Sequence, residues 1–439
     1  MRNQRNIFRT FILVYFSFPA VLFAQAGKLS LQQAIETGLK NNYSILVAKN
    51  EAEIAKNNNS PGNAGFLPAL SINAATNNAS NTTNQEYSSG QTLDKKGVKS
   101  STFNSNALFS WTLFDGMKMF AARDRLSLLD SSGGLNYKYQ LESTISSIII
   151  AYYDVIRQSE GLANTKEMLK LSEERLKITE KRFELGSGSR FEMLQAKVDR
   201  NSAKSAVLKQ DLILKTTKTT LNQLIARPPE VDFEPSDSII ISYQPKLEDL
   251  KRTSNLRNLV INQYQLNKDL SLIAIKEIGS AMYPKVAFNS SYVFSRSDNQ
   301  AGLLLTSQTL GWNYGFSISM PLFNGLNIKN QIQNAKLAAL GADLKLSDAK
   351  LKLNSELIRS WQEYQQNLEI LSMEKENIEV ARENLFLAEE RFKLGTINSL
   401  DLKQAENSYL EASLRLMNAR FTAKSSETNL MRINGDLIK

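Results

Sequence analysis

Hydrophobic and polar positions along this chain fall into two alternating rhythms, and each rhythm occurs twice. Phe103, Ala107, Phe109, Trp111 and Leu113 alternate with Asn104, Asn106, Ser110 and Thr112. Leu310, Trp312, Tyr314, Phe316, Ile318 and Met320 alternate with Gly311, Asn313, Gly315, Ser317 and Ser319. A period of two with aromatic enrichment predicts strands. Partner strands precede each: Leu70 to Ala74, and Val286 to Ser295 with Phe288, Tyr292 and Phe294 on one face. Between the first pair, the Asn/Ser/Thr-rich stretch Asn77 to Ser101 reads as a solvated loop.

The second rhythm is helical. No proline falls between Pro68 and Pro228 or after Pro321, which leaves room for very long helices. Met117 to Leu185 reads as one helix on the order of 100 Å long, with a weak point at Gly133-Gly134. In it Leu169, Leu176 and Phe183 repeat every seven residues, as do Leu171, Ile178 and Leu185. The matching stripes later are Leu371, Ile378, Leu385 and Phe392 beside Met373, Val380, Leu387 and Leu394. A step of seven specifies left-handed supercoiling. Stripes two positions apart lie about 200° apart around the helix, on nearly opposite faces. Each such helix therefore needs a neighbour on both flanks. Glycine just past the last periodic residue, Gly186 and Gly395, is a C-cap signal, so each half folds back as a helical hairpin with an exposed tip.

The two halves are copies. Leu113, Phe114 and Gly116 recur as Leu322, Phe323 and Gly325, and Arg182, Phe183, Leu185 and Gly186 recur as Arg391, Phe392, Leu394 and Gly395, always 209 residues later. A period this long marks a duplicated half-protein rather than a solenoid. The first repeat covers 27–226: helix 29–58 with Ser30 as its N-cap, β-hairpin 68–116, helical hairpin 117–226 with its tip at 185–190. After an inter-repeat segment at 227–249, the second covers 250–439: helix 250–281, β-hairpin 284–325, helical hairpin 326–439 with its tip at 394–399. Pro68 lies 46 residues before Phe114 and Pro284 lies 39 before Phe323, so the first β-hairpin is longer by seven.

Composition narrows the chemistry. The 439 residues include no cysteine and no histidine, which excludes thiolate nucleophiles, imidazole triads and the usual zinc sites. No catalytic residue, cofactor or metal is expected. Residues 1–26 read as a signal peptide: Arg2, Arg5 and Arg9 precede the apolar run Thr10 to Phe23, and Ala24-Gln25-Ala26 suits cleavage. Its removal lowers the net charge from +9 to +6, a solvated surface rather than a nucleic-acid footprint.

Strands of about ten or eleven residues with one aromatic and one hydrophilic face suit a membrane barrel, and a soluble sandwich strand also buries one face. Four strands cannot close a barrel, because the smallest span with about eight, and lipid does not tolerate open edges. Membrane strands would therefore have to be pooled by an oligomer. The alternative is a soluble, exported coiled-coil scaffold.

The chain resembles the TolC-like outer membrane efflux proteins. The resemblance rests on Leu-Phe-Asp-Gly at 113–116 and Leu-Phe-Asn-Gly at 322–325, on Arg-Phe-x-Leu-Gly at 182–186 and 391–395, and on Leu-Asp-Leu at 400–402. It implies an α+β membrane protein: a homotrimer whose pooled strands make a 12-stranded outer membrane β-barrel on a 12-helix periplasmic α-barrel. The resemblance further implies a passive exit duct of a tripartite efflux pump or type I secretion system, set in outer membrane lipid and extending into the periplasm. Its partners would be a periplasmic adapter and an inner-membrane pump of RND, MFS or ABC type. The matching tip residues Leu185, Gly186, Ser187, Leu394, Gly395 and Thr396 would contact the adapter. Asp401 and Gln404, with Glu192 in the first copy, would stand at the periplasmic entrance; Gln404, with Lys403 beside it, replaces the family's second acid. Each of Asp401 and Glu192 also suits a simpler role, a carboxylate complementing a helix N-terminus.

Overall fold

The computed structural model describes residues 27–301 and 304–438; the expected signal segment 1–26 lies outside them. The first repeat begins with a short strand, β1 (Gly27–Leu29), then α1 (Leu31–Asn41), α2 (Tyr43–Asn58), β2 (Ala69–Glu86), β3 (Thr92–Asp115), α3 (Lys118–Glu184) and α4 (Arg190–Leu224). A strand β4 (Phe233–Pro235) follows. The second repeat is α5 (Leu247–Arg257), α6 (Leu259–Gly279), β5 (Lys285–Asn299), β6 (Thr306–Ser319), α7 (Asn327–Lys393) and α8 (Ser399–Asn434).

The helices expected at 29–58 and 250–281 are each two helices, broken at Asn42 and Asn258. Both asparagines take an extended ψ near +120°, and each side chain accepts from two backbone N–H groups of the helix it opens. Each side-chain amide also donates to the end of a partner helix, Asn42 to the Leu224 carbonyl at 2.8 Å and Asn258 to the Ile433 carbonyl at 3.0 Å. Asn42 and Asn258 are 216 residues apart, against 209 for Leu224 and Ile433. The difference is the seven residues added within the first β-hairpin.

The four hairpin strands form one antiparallel sheet in the order β2-β3-β5-β6. They are longer than expected, at 18, 24, 15 and 14 residues. Most of Asn77 to Ser101 is ladder rather than loop: β2 and β3 stay paired out to Glu86↔Thr92, well beyond Ser100↔Asn299 where β5 ends. Polar Asn, Ser and Thr suffice there because this ribbon has no buried face. Among the described residues no second sheet packs on this one, so the sandwich alternative is not what forms.

Register puts Leu70, Ile72, Phe103, Phe109, Trp111, Phe288, Tyr292, Phe294, Trp312 and Phe316 on one face. Neighbouring rings meet across strands, Phe288 with Phe316 at 5.1 Å and Tyr292 with Trp312 at 6.0 Å. On the opposite face side-chain hydrogen bonds join Asn73 to Asn106, Ser110 to Asn289 and Ser295 to Asn104. The aromatic face is exposed, Phe316 to 71% and Trp312 to 67%. Both edge strands, β2 and β6, have one partner each.

From the sheet the chain turns into each long helix through a left-handed residue that is not glycine, Met117 at φ 72° and Leu326 at φ 63°. Helices α3 and α7 then run unbroken for 67 residues each. The weak point expected at Gly133-Gly134 does not break α3. A Cβ at Gly133 would press on Ala52 and Ala55, so this glycine admits α2 at close range. Near the sheet the helices lie in the order α2-α3-α6-α7, and beyond the middle in the order α4-α3-α8-α7. The inter-repeat segment binds across the middle. Strand β1 pairs with β4, and the Glu427 carboxylate accepts the backbone N–H groups of Ser242 and Tyr243.

No helix among the described residues is long and apolar enough to cross a membrane.

Candidate functional site

The end of the molecule farthest from the sheet holds the two helical tips and most of the residues singled out by sequence. Both tips close alike. Gly186 at φ 71° and Gly395 at φ 76° take the left-handed conformation past the helix end. Their N–H groups donate to the Phe183 and Phe392 carbonyls, while the N–H groups of Ser187 and Thr396 donate to those of Arg182 and Arg391. Such 6→1 bonds satisfy carbonyls that a helix end otherwise leaves open. The hydroxyls of Ser187 and Thr396 donate to the same Arg182 and Arg391 carbonyls. The six tip residues therefore divide: glycines shape the turn, hydroxyls close it, and Leu185 and Leu394 stand 82% and 78% exposed.

The entrance candidates begin the returning helices. Asp401 takes part in a reciprocal cap: its N–H donates to the Asn398 side chain at 2.9 Å, and its carboxylate accepts from the Asn398 N–H at 3.3 Å. In the first copy Ser189 accepts from the Glu192 N–H at 3.1 Å, with no return bond. Gln404 is exposed one turn after Asp401. No hydrogen bond or ion pair joins Glu192 to Asp401 or Gln404 among the described residues.

Sequence reasoning missed a quartet of charges just above the tips, with Arg175 and Glu406 buried and Asp199 and Lys403 half-buried. The guanidinium of Arg175 on α3, only 2% exposed, lies 3.0 Å from Asp199 of α4 and 3.0 Å from Glu406 of α8. Lys403 of α8 reaches the other oxygen of Asp199 at 2.8 Å. Two acids and two bases thus tie the first helical hairpin to the second. Burial pushes the Glu406 carboxyl up to about 7, against the opposing pull of Arg175 and Lys403 and with help from the nearby acids Glu389 and Asp199. A second tie is Arg182, whose guanidinium donates to the Phe392 carbonyl at 2.6 Å and covers the Phe392 ring at 4.6 Å.

A signal for the quartet was present. Arg175, Asp199, Lys403 and Glu406 are positions where the copies disagree, standing opposite Asn384, Ser408, Leu194 and Lys197. Duplication alone does not say which disagreements meet in space.

Among the described residues no group of three or more acids is placed to hold a metal ion. What the molecule offers is a sheet with an exposed aromatic face, long helices with apolar flanks, and helical hairpins tied together near their tips by a partly buried charge network.

The chain matches the outer membrane efflux protein family over residues 34–227 and 253–436. It is 21% identical to the outer membrane protein TolC of Escherichia coli (strain K12) over 378 residues, covering 80% of this chain and 73% of that one. Among solved structures it is similar to the outer membrane protein VceC of Vibrio cholerae, with a TM-score of 0.73 at 18% identity over 92% of this chain and 96% of that one. The CmeC outer membrane channel of Campylobacter jejuni superposes with a TM-score of 0.78 at 15% identity, covering 92% and 85% of the two chains.

Proposed function

Because the chain belongs to the outer membrane efflux protein family, we propose that three copies of it close into one duct that crosses the outer membrane and reaches into the periplasm. Its role is that of an exit channel in efflux, a transport channel rather than an enzyme. The observation that carries the assembly is the pair of open boundaries running the length of the chain. The sheet ends in the unpaired edges of β2 and β6, and the lower helices end in the uncovered flanks of α4 and α7. A hydrocarbon layer tolerates neither an open edge nor an unsatisfied ladder. With four strands and four long helices from each copy, three copies give twelve of each, and the aromatic face turns to lipid while the hydrogen-bonded polar face lines the bore.

The exposed Leu185 and Leu394 support a contact of the tips with a periplasmic adapter, which would couple the duct to an inner-membrane pump. Asp401 and Gln404 begin the helix that would narrow the entrance, and Glu192 begins its counterpart. Native mass spectrometry in detergent together with planar-bilayer recording tests the duct. The expected result is a trimer that conducts ions, with Asp401→Ala changing conductance and its pH dependence. A detergent-independent monomer without conductance sinks the reading, and unchanged conductance in Asp401→Ala leaves Asp401 only its cap.

A further inference from the structure

The tips contain one half of a contact that the chain already makes once. Arg182 and Phe183 recur 209 residues later as Arg391 and Phe392. In the observed contact Arg182 of α3 donates to the Phe392 carbonyl and covers the Phe392 ring. That carbonyl belongs to the last turn of α7, where acceptors lack helical donors and the helix dipole is negative, so a cation is favoured. Stacking on the ring adds a cation–π attraction.

The mirror contact is unfilled. Arg391 is exposed, with no hydrogen bond or ion pair to its guanidinium among the described residues. Phe183 is 40% exposed, and its carbonyl accepts only from the N–H groups of the turn that follows it. The seam above repeats the pattern. Leu171 and Ile178 of α3 pack against the cluster Leu385, Phe392, Leu402 and Ala405. Their counterparts on α7, Val380 and Leu387, are 64% and 52% exposed. In the helix order α4-α3-α8-α7, a rotation that carries the first hairpin onto the second carries the second onto the first hairpin of an adjoining copy.

We infer that Arg391 does between copies what Arg182 does within one: its guanidinium donates to the Phe183 carbonyl of the adjoining copy and covers that ring. Val380 and Leu387 seal the same seam against Leu176, Phe183, Met193 and Ala196 of the neighbour. The inference rests on the closed ring proposed above, and names the residues that close it at the tips.

The absence of native cysteine makes the test clean. Arg391→Cys is combined with Phe183→Cys, and the solubilised trimer is treated with a short bis-maleimide. Covalent dimers and trimers are expected on a denaturing gel, while the control pair Arg182→Cys with Phe392→Cys gives only cross-linked monomer. Should the first pair fail to assemble, Leu387→Cys with Met193→Cys reports the same seam. A trimer intact by native mass spectrometry that yields no inter-copy product with either pair overturns the clamp and leaves the ring standing. A chain that is monomeric throughout overturns the ring and the clamp together.

Discussion

Helices α3 and α7 are equally long and equally placed in the two repeats, yet they live in different surroundings. On α3 both heptad stripes are covered above the tip: Leu176 is buried and Leu169, Leu171 and Ile178 are half-buried. On α7 one stripe, Leu371, Ile378, Leu385 and Phe392, is buried, and the other, Met373, Val380, Leu387 and Leu394, is more than half exposed. Equal patterning with unequal burial separates what the chain completes alone from what, in the proposed ring, a neighbour would complete. The charge quartet sharpens the contrast, because its four members lie on the completed seam.

Four changes probe that contrast, beginning with the largest. Arg175→Ala leaves the buried Glu406 and half-buried Asp199 with Lys403 as their remaining cation in the quartet, and should cost about 3–5 kcal/mol. Its counterpart Asn384→Ala, on the exposed side of α7, should stay within about 0.5 kcal/mol. Denaturant unfolding followed by far-UV circular dichroism compares them, and equal effects would erase the distinction between the seams. Leu385→Ala on the buried stripe should cost about 2–5 kcal/mol. Leu387→Ala, two residues on, should spare the fold and instead lower the temperature at which copies separate on a native gel.

The third change is in pH. Glu406 titrates near 4.5 when unfolded and near 7 when folded, so the folded protein holds this proton more tightly. The resulting stabilisation is complete below pH 4.5 and is lost as pH rises through 7, at most about 3 kcal/mol in all. The groups facing it are Arg175 of α3, Asp199 of α4, Glu389 of α7 and Lys403 of its own helix. Subtracting the melting curve of Glu406→Gln from that of the parent across pH 5–8 should isolate the slope; parallel curves would show that Glu406 stays charged. Smallest is the cap. Asp401→Ala removes a reciprocal bond and should cost about 0.3–1 kcal/mol, more than Glu192→Ala, whose carboxylate returns no bond to its cap.

Much of this was legible in the sequence because it is periodic. The paired heptads required a helix with two neighbours, the alternating aromatics gave the two faces of the sheet, and Gly186 and Gly395 marked the tips. The misses have physical causes. The ribbon beyond Ser101 alternates nothing, since neither of its faces is buried, so composition made it a loop. Asn42 and Asn258 break helices through side-chain bonds that carry no period. Arg175, Glu406, Asp199 and Lys403 look like ordinary solvated helix positions, and only the crossing of three helices brings them together. Arg182 was read as part of a repeated motif, but its reach to Phe392 depends on how the hairpins sit side by side.

The left-handed corners at Met117 and Leu326 also bear on the mechanics of the molecule. A residue held there without glycine's freedom stores of the order of 1–3 kcal/mol and persists only where its surroundings dictate it. Each corner is therefore a stiff elbow joining a sheet to a rod of about 100 Å. With such leverage a swing of about 5° at the elbow moves the far end by roughly 9 Å, close to the width of a helix. The contacts at the far end, Arg182 on Phe392 and the quartet around Arg175, act with the full length of that arm. In the proposed ring, a few bonds made or broken there would set the bore without any strand in the sheet having to shift.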